Sequence, residues 1–115
     1  MLGDWLDSVN LETSESVLTY RLRQYERDFF ADQKPVEGLE VAELPGPACL
    51  LMDKRVIRIH PYVATFPKMC GILLLHELIH SKLLEENGDP DEKEGERFQA
   101  EVERLYRAKA YKRLL

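Results

Sequence analysis

The sequence predicts a single α+β domain spanning residues 1–115, in which one helix is followed by three short strands and then by two more helices. Two observations carry this prediction. Apolar residues recur at helical spacing near the N-terminus and again in the last third of the chain, whereas residues 39–60 alternate between apolar and polar side chains. A chain of 115 residues also fits one domain and leaves little room for a second. We therefore expect a small sheet packed on helices.

The first helix is predicted over about residues 14–30. Four apolar side chains fall at i, i+4, i+7 and i+11, which is one helical face: Leu18, Leu22, Tyr25 and Phe29. Charged residues, among them Glu26, fill the other sides. Residues 1–12 are predicted to form a flexible arm with one large anchor, Trp5. Pro35 and Gly38 close the segment.

Three strands are predicted next, over about residues 39–44, 48–52 and 55–60. Residues 45–47 read Pro-Gly-Pro, which is typical of a turn, and Asp53 with Lys54 makes a tight connection. Short strands joined by such turns predict an antiparallel meander.

Two helices complete the chain. The first is predicted from Pro67 to about residue 86, because proline favours the first helical position and Asn87-Gly88 is a stop signal. Residues 69–75 are apolar nearly all round the helix, so this segment should be buried. An acidic loop then leads into the last helix, where one predicted face carries Phe98, Val102, Leu105 and Tyr106.

Composition and charge narrow the classes of protein. Hydrophobic residues make up 44% and charged residues 32%, as in an ordinary soluble globular protein. A net charge of −5 makes nucleic acid a poor candidate for a direct partner. The N-terminus lacks the pattern of a signal peptide, and the longest apolar run, residues 69–75, is far too short to span a membrane. Cys49 and Cys70 form no CxxC pair and are interpreted as reduced thiols of a cytoplasmic protein.

The sequence His76-Glu77-Leu78-Ile79-His80 matches the H-E-x-x-H pattern within the predicted buried helix. Residues four apart lie one above the other on a helix, so both histidines can point at one metal ion. Neutral imidazoles suit Zn²⁺, and a catalytic zinc needs three protein ligands and an open position for water. Glu77 projects to the side, where it can act as general base toward that water.

The third ligand has several candidates. His60, the only other histidine, precedes the helix, and it and Tyr62 are more simply surface residues at a strand end. The metzincin pattern fails, since its later positions hold Leu83 and Glu86, and Glu85 and Glu86 should point away from the metal. Glu94 is preferred, because helical spacing aligns it with the buried face of the last helix. It competes with Glu92, and with a purely structural role for Glu94 at a helix N-terminus.

These residues give the chain a resemblance to the SprT-like zincins. Residues 25–30 and 33–35 look like that family's first helix, which ends in an aromatic pair before the first strand. Residues 57–59 then precede the segment containing HELIH, residues 73–81. Residues 94–98 look like the family's downstream H-G-x-x-F element with Glu94 in place of histidine. The resemblance covers about residues 14–105, and only HELIH is highly specific.

The resemblance implies a minimal zincin-like metallopeptidase fold with zinc between the active-site helix and the next helix. It implies that His76 and His80 are ligands, Glu77 the general base and Glu94 the third ligand. A glutamate there is the gluzincin arrangement. The chain lacks the cysteine-rich ribbon of larger SprT-like proteins, so DNA-linked roles are not carried over. A looser resemblance to ImmA/IrrE-type peptidases would make Glu92 the ligand instead.

The sequence thus predicts a zinc-dependent metallopeptidase that hydrolyses extended peptide or protein substrates. The first alternative is a zinc-binding but weak or inactive domain that acts in protein–protein interaction or metal sensing. The second is a packing module without metal. The substrate, the cleavage specificity and the oligomeric state are left open by the sequence.

Overall fold

The computed structural model has the α+β class that the sequence predicts. It describes residues 2–43, 49–51, 55–87 and 95–113, and side chains for residues 15–43, 55–86 and 95–112. The helices are α1 (Leu2–Phe29), α2 (Pro67–Asn87) and α3 (Glu96–Arg107), and the strands are β1 (Gly38–Val41), β2 (Cys49–Leu51) and β3 (Val56–Ile59). Short 3₁₀ turns cover Val63–Thr65 and Ala110–Arg113.

Helix α1 is longer than the sequence predicts. Its apolar face is confirmed, since Leu18, Leu22 and Tyr25 are buried in the core and Phe29 packs against it. The backbone is helical from Leu2, however, so residues 2–12, predicted to form an arm, continue the helix. The segment contains no proline, so nothing stops the helix from extending. The predicted anchor Trp5 lies outside the described side chains.

A buried carboxylate fixes the loop that follows α1. Glu26, predicted on a solvated face, is buried. It accepts a hydrogen bond from the backbone N–H of Val36 at 2.8 Å and another from Arg23 at 2.7 Å. Arg23 also donates to the carbonyl of Val36 at 2.9 Å. These bonds satisfy the buried charge and hold the loop ahead of β1 against the helix.

The sheet is mixed and ordered β1-β3-β2, so the predicted antiparallel meander is wrong. β2 does pair antiparallel with β3, with Cys49 opposite Ile59. β1 instead pairs parallel with the far side of β3, with Leu39 opposite Ile57. β3 is therefore central, and both of its isoleucines are fully buried. Apolar alternation specifies which face of a strand is buried, but it carries no information about which strand lies beside it.

Helix α2 buries one side in the core, but Met69 and Ile72 are each 49% exposed, so the predicted burial of residues 69–75 nearly all round the helix is wrong on that side. Cys70, Leu74, Leu75 and Ile79 are fully shielded from solvent. Cys70 is a free thiol whose Sγ lies 3.2 Å from the carbonyl of Val63, and burial raises its pKa. Within the described part of the chain, no helix is long and apolar enough to cross a membrane.

Helix α3 packs on α2 through Phe98 and Leu105, both buried, with Val102 partly covered. Tyr106, predicted on the same face, is instead 73% exposed. It follows Leu105 directly, and consecutive helical residues point about 100° apart, so only one of the two can face the core.

Candidate metal centre

The two motif histidines meet on one face of α2. They are one helical turn apart, and the Nε2 atoms of His76 and His80 lie 3.1 Å from each other. The ring centroids are 4.7 Å apart and the ring planes are inclined by 73°. The Nδ1 atom of His80 is buried, so Nε2 is the atom of this ring that faces the neighbouring imidazole.

This geometry fits a shared metal ion. Zinc–nitrogen bonds of 2.0–2.1 Å at a tetrahedral angle hold two ligand nitrogens roughly 3.3–3.4 Å apart. The observed separation of 3.1 Å is a few tenths of an ångström shorter. The same distance fits an N–H···N hydrogen bond, in which one neutral ring donates and the other accepts. The helix therefore brings two imidazole nitrogens to a separation close to that of two ligands of one zinc ion.

Phe98 of α3 covers both rings. Its centroid is 4.9 Å from that of His76 and 4.9 Å from that of His80, with inclinations of 60° and 43°. The ring is itself only 4% exposed. Phe98 thus fixes the two imidazoles from one side and excludes water there. The sequence placed Phe98 in the core, but it did not predict this contact with the histidines.

Glu77, which follows His76 in the sequence, is buried. It is turned about 100° round the helix from His76. On that side of α2 the residues at i−3 and i+4, Leu74 and Ser81, are also buried. Glu77 therefore lies where the histidine-bearing side of the helix meets its buried side. A carboxylate is rare in such a place unless it is paired or serves a site.

The two residues predicted as a third ligand lie outside the described residues. Glu92 and Glu94, the two candidates, fall in residues 88–94. In the described parts of the chain, no group of three His, Cys, Asp or Glu side chains could hold a metal ion. His60 belongs to no such group, and its Nδ1 accepts a hydrogen bond from the backbone N–H of Tyr62 at 3.1 Å.

Glu85 and Glu86 have other partners, as the helical spacing predicts. Glu85 accepts a hydrogen bond from the backbone N–H of Lys34 at 3.2 Å and lies 3.9 Å from Arg55. Glu86 lies 3.9 Å from Lys82. Both carboxylates therefore contact residues away from the histidine pair.

An ion-pair cluster fixes α3 on α2. Glu101 accepts hydrogen bonds from Lys82 of α2 at 2.8 Å and from Arg104 at 3.1 Å. Arg104 also donates to the carbonyl of Phe29 at 2.9 Å, and its guanidinium lies 5.1 Å from the ring centroid of Phe30. Burial alone would raise the pKa of Glu101, but the hydrogen bonds from Lys82 and Arg104 outweigh it and lower the pKa. Lys82 is two residues beyond His80 and Glu101 three beyond Phe98, so the ion pair joins α2 and α3 close to the contact between Phe98 and His80.

A second polar contact ties α2 to the strands. Arg55 donates to the hydroxyl of Ser81 at 3.0 Å and to the carbonyl of Lys34 at 2.5 Å. Arg55 has a φ of 61°, a left-handed conformation that side chains other than glycine seldom adopt. Since Ser81 directly follows His80, this contact helps fix the helix beside the histidine pair.

No family model matches the chain, and no curated protein or solved structure matches it. The resemblance to the SprT-like zincins therefore depends on the motif residues and their spacing. The functional argument depends on the geometry of the histidine pair and its surroundings.

Proposed function

We propose that the protein is a zinc-dependent metallopeptidase of minimal, SprT-like gluzincin type, which hydrolyses peptide bonds in extended peptide or protein substrates. The observation that supports this most is the pair of imidazole nitrogens 3.1 Å apart on HELIH, with Glu77 buried next to them. The pattern H-E-x-x-H on a helix supplies two ligands and a base to zinc peptidases.

His76 and His80 would hold Zn²⁺, which when bound polarises a carbonyl and makes water more acidic. Glu77 takes a proton from the attacking water and returns it to the leaving amine nitrogen. Phe98 keeps the imidazoles in place and keeps bulk water from one side of them. The fixed position of these groups lowers the reorganisation required during the reaction.

Glu94 is our proposed third ligand, which gives the gluzincin set of two histidines and one glutamate. Gly95 is the N-cap of α3, so Glu94 directly precedes the helix whose Phe98 touches both rings. Only four residues separate Glu94 from Phe98 in the sequence, and four residues of extended chain span at most about 14 Å. Glu92 is the rival, and Glu94→Ala separates the two: zinc affinity should fall, and an unchanged affinity would favour Glu92.

The sheet offers a place for an extended substrate. Among the described strands, β2 pairs only with β3, so its other edge is open. β2 also lies against α2, the helix that carries the histidines. An extended peptide that adds to this edge would pass close to the metal ligands. Peptides locked into helices should therefore resist cleavage, and equal cleavage of helical and extended peptides would contradict this part of the proposal.

Replacing Glu77 by glutamine tests the proposed chemistry. Glu77→Gln keeps the size of the side chain and both histidines, so it should bind zinc as the wild type does. Hydrolysis of an unfolded protein such as reduced casein should fall at least about 100-fold, because the proton acceptor is lost. Wild-type protein loaded with zinc that cleaves no unfolded substrate would contradict the proposal.

The rival function is a zinc-binding domain with little or no activity, which acts in protein–protein interaction or metal sensing. The closure of one side of the histidine pair by Phe98 favours it, because a catalytic zinc needs room for substrate and water. Full zinc binding without hydrolysis would favour this function. For either function we propose a cytoplasmic location, which suits the buried free thiol of Cys70.

A further inference from the structure

One stripe of α2 carries both histidines, and its side chains become more exposed toward the N-terminus of the helix. Met69, Ile72, His76, His80 and Leu83 fall at i, i+3, i+7, i+11 and i+14. Leu83 is 3% exposed, and the histidines are partly covered. Ile72 and Met69 are each 49% exposed. The proposed metal ligands therefore lie where the covered part of the stripe gives way to the open part.

The open part continues into the turn before α2. Phe66 is 43% and Tyr62 70% exposed, and their rings meet edge to face at 5.4 Å. A cavity of about 480 Å³ lies beside Phe66 and Met69, and among the described residues of its lining Lys68 alone is charged. We call Tyr62, Phe66, Met69 and Ile72 the apolar patch.

The apolar patch is continuous with the histidine pair. Residues 69–75, which lead from the patch to His76, contain no charged side chain. The buried side of the same segment is already complete, since Cys70, Leu74 and Leu75 are fully shielded from solvent. The core therefore does not use Met69 and Ile72, and large exposed apolar groups next to a reactive site are typical of ligand contacts.

We propose that the apolar patch binds large apolar side chains of the substrate on one side of the scissile bond. This inference rests on the proposed peptidase function and adds a substrate class to it. Along the helix axis Ile72 is about 6 Å and Met69 about 10 Å from His76. An extended peptide advances about 3.3 Å per residue, and alternate side chains share a face. The second residue from the cleaved bond, about 7 Å away, therefore falls at Ile72. The fourth, about 13 Å away, falls beyond Met69 on the Phe66 side of the apolar patch. Substrates should carry Leu, Ile, Met or Phe at these two positions, on the side facing the N-terminus of α2.

The test uses two unstructured peptides that differ only at these two positions, Leu in one and Ser in the other. Each peptide should be made in two versions, one with these positions before the cleaved bond and one with them after it. The zinc-loaded wild type should cleave the Leu peptide with a kcat/KM at least tenfold higher than that of the Ser peptide. Ile72→Gln and Met69→Gln should reduce that ratio at least threefold each. The matched controls Val17→Gln and Tyr20→Gln, which replace exposed apolar residues of α1, should leave the ratio unchanged.

Failure of this inference differs from failure of the proposed function. Cleavage with a ratio that neither Ile72→Gln nor Met69→Gln alters would overturn the inference and leave the function standing. If the wild type cleaves neither peptide, the inference can still be tested by binding. The two peptides are labelled with a fluorophore, and their affinity for the Glu77→Gln variant is measured by fluorescence polarisation. Weaker binding of the Leu peptide after Ile72→Gln would support the patch, and unchanged binding would overturn it. A wild-type dimer that Met69→Gln dissociates would assign the patch to a second copy and overturn the inference.

Discussion

The two halves of α2 bury the same side of the helix but differ in what their other side does. In the second half, polar side chains have fixed partners: Ser81 with Arg55, and Lys82 with Glu101. In the first half, Met69 and Ile72 face solvent without a covering element among the described residues. The histidines thus lie at the junction between the half of α2 whose polar side chains are paired and the half whose apolar side chains face solvent. Such a junction holds ligands rigidly while leaving room for a substrate.

The largest expected effect comes from Phe98, which covers the histidines in the fixed half. Phe98→Ala should lower the free energy of unfolding by about 3–5 kcal/mol, because it removes a buried aromatic ring and leaves a cavity. Zinc affinity should fall as well, since both imidazoles lose the ring that packs on them. Urea unfolding and competition with a zinc indicator measure the two effects.

Tyr106→Ala is the matched control for Phe98, because it removes an aromatic ring from the exposed face of the same helix. It should change stability by less than about 0.5 kcal/mol. A Phe98→Ala variant as stable and as tight for zinc as Tyr106→Ala would show that α3 does not support the metal centre.

The next effect separates the two sides of the first half of α2. Leu74→Ala should cost about 2–5 kcal/mol, because Leu74 is fully buried. Ile72→Ala should cost less than about 1 kcal/mol, since half of its side chain already faces solvent. Thermal unfolding of the two variants checks this. Equal losses would mean that the open half is part of the core, and the apolar patch would lose its basis.

A smaller effect comes from the Glu101 cluster. Glu101→Gln should cost about 1 kcal/mol near neutral pH, because the hydrogen bonds remain while the charge is lost. Glu103→Gln, in the exposed pair with Arg107 on the same helix, should cost close to nothing. Chemical unfolding distinguishes them, and identical losses would contradict the anchoring role of Glu101.

The contact of Glu101 with Lys82 and Arg104 also predicts how the stability of the protein changes with pH. The pKa of Glu101 is lowered in the folded protein, so its stabilising contribution is present above the ordinary glutamate pKa. That contribution disappears as the pH falls through the lowered pKa. Between about pH 5 and pH 3 the wild type should therefore lose more stability than Glu101→Gln. Parallel acid curves for the two proteins would contradict this.

Local spacing predicted the parts of the fold that depend on one segment alone. The face of α1, the start of α2 at Pro67, its buried side and the meeting of His76 with His80 all follow from helical periodicity and proline preference. The order of the strands did not follow, since β1 reaches β3 from the far side through contacts that alternation does not encode.

The surroundings of the site depend on docking between segments and were missed for that reason. Phe98 lies on the apolar face of α3, but only the docking of α3 on α2 puts it against both imidazoles. Glu26 has an ordinary position in a charged helix, and its burial follows from the loop that folds back to offer the N–H of Val36. An aromatic residue at the start of the helix after HELIH is the one signal that could have indicated the first of these contacts.

Zinc K-edge X-ray absorption on the purified protein, loaded with one equivalent of Zn²⁺, tests the central claim most directly. We predict one tightly bound zinc per chain with two imidazole nitrogens at about 2.0 Å and the remaining ligands oxygen. His80→Ala should lose that binding. A protein that binds no stoichiometric zinc, or a zinc whose spectrum lacks imidazole ligands, would contradict the account.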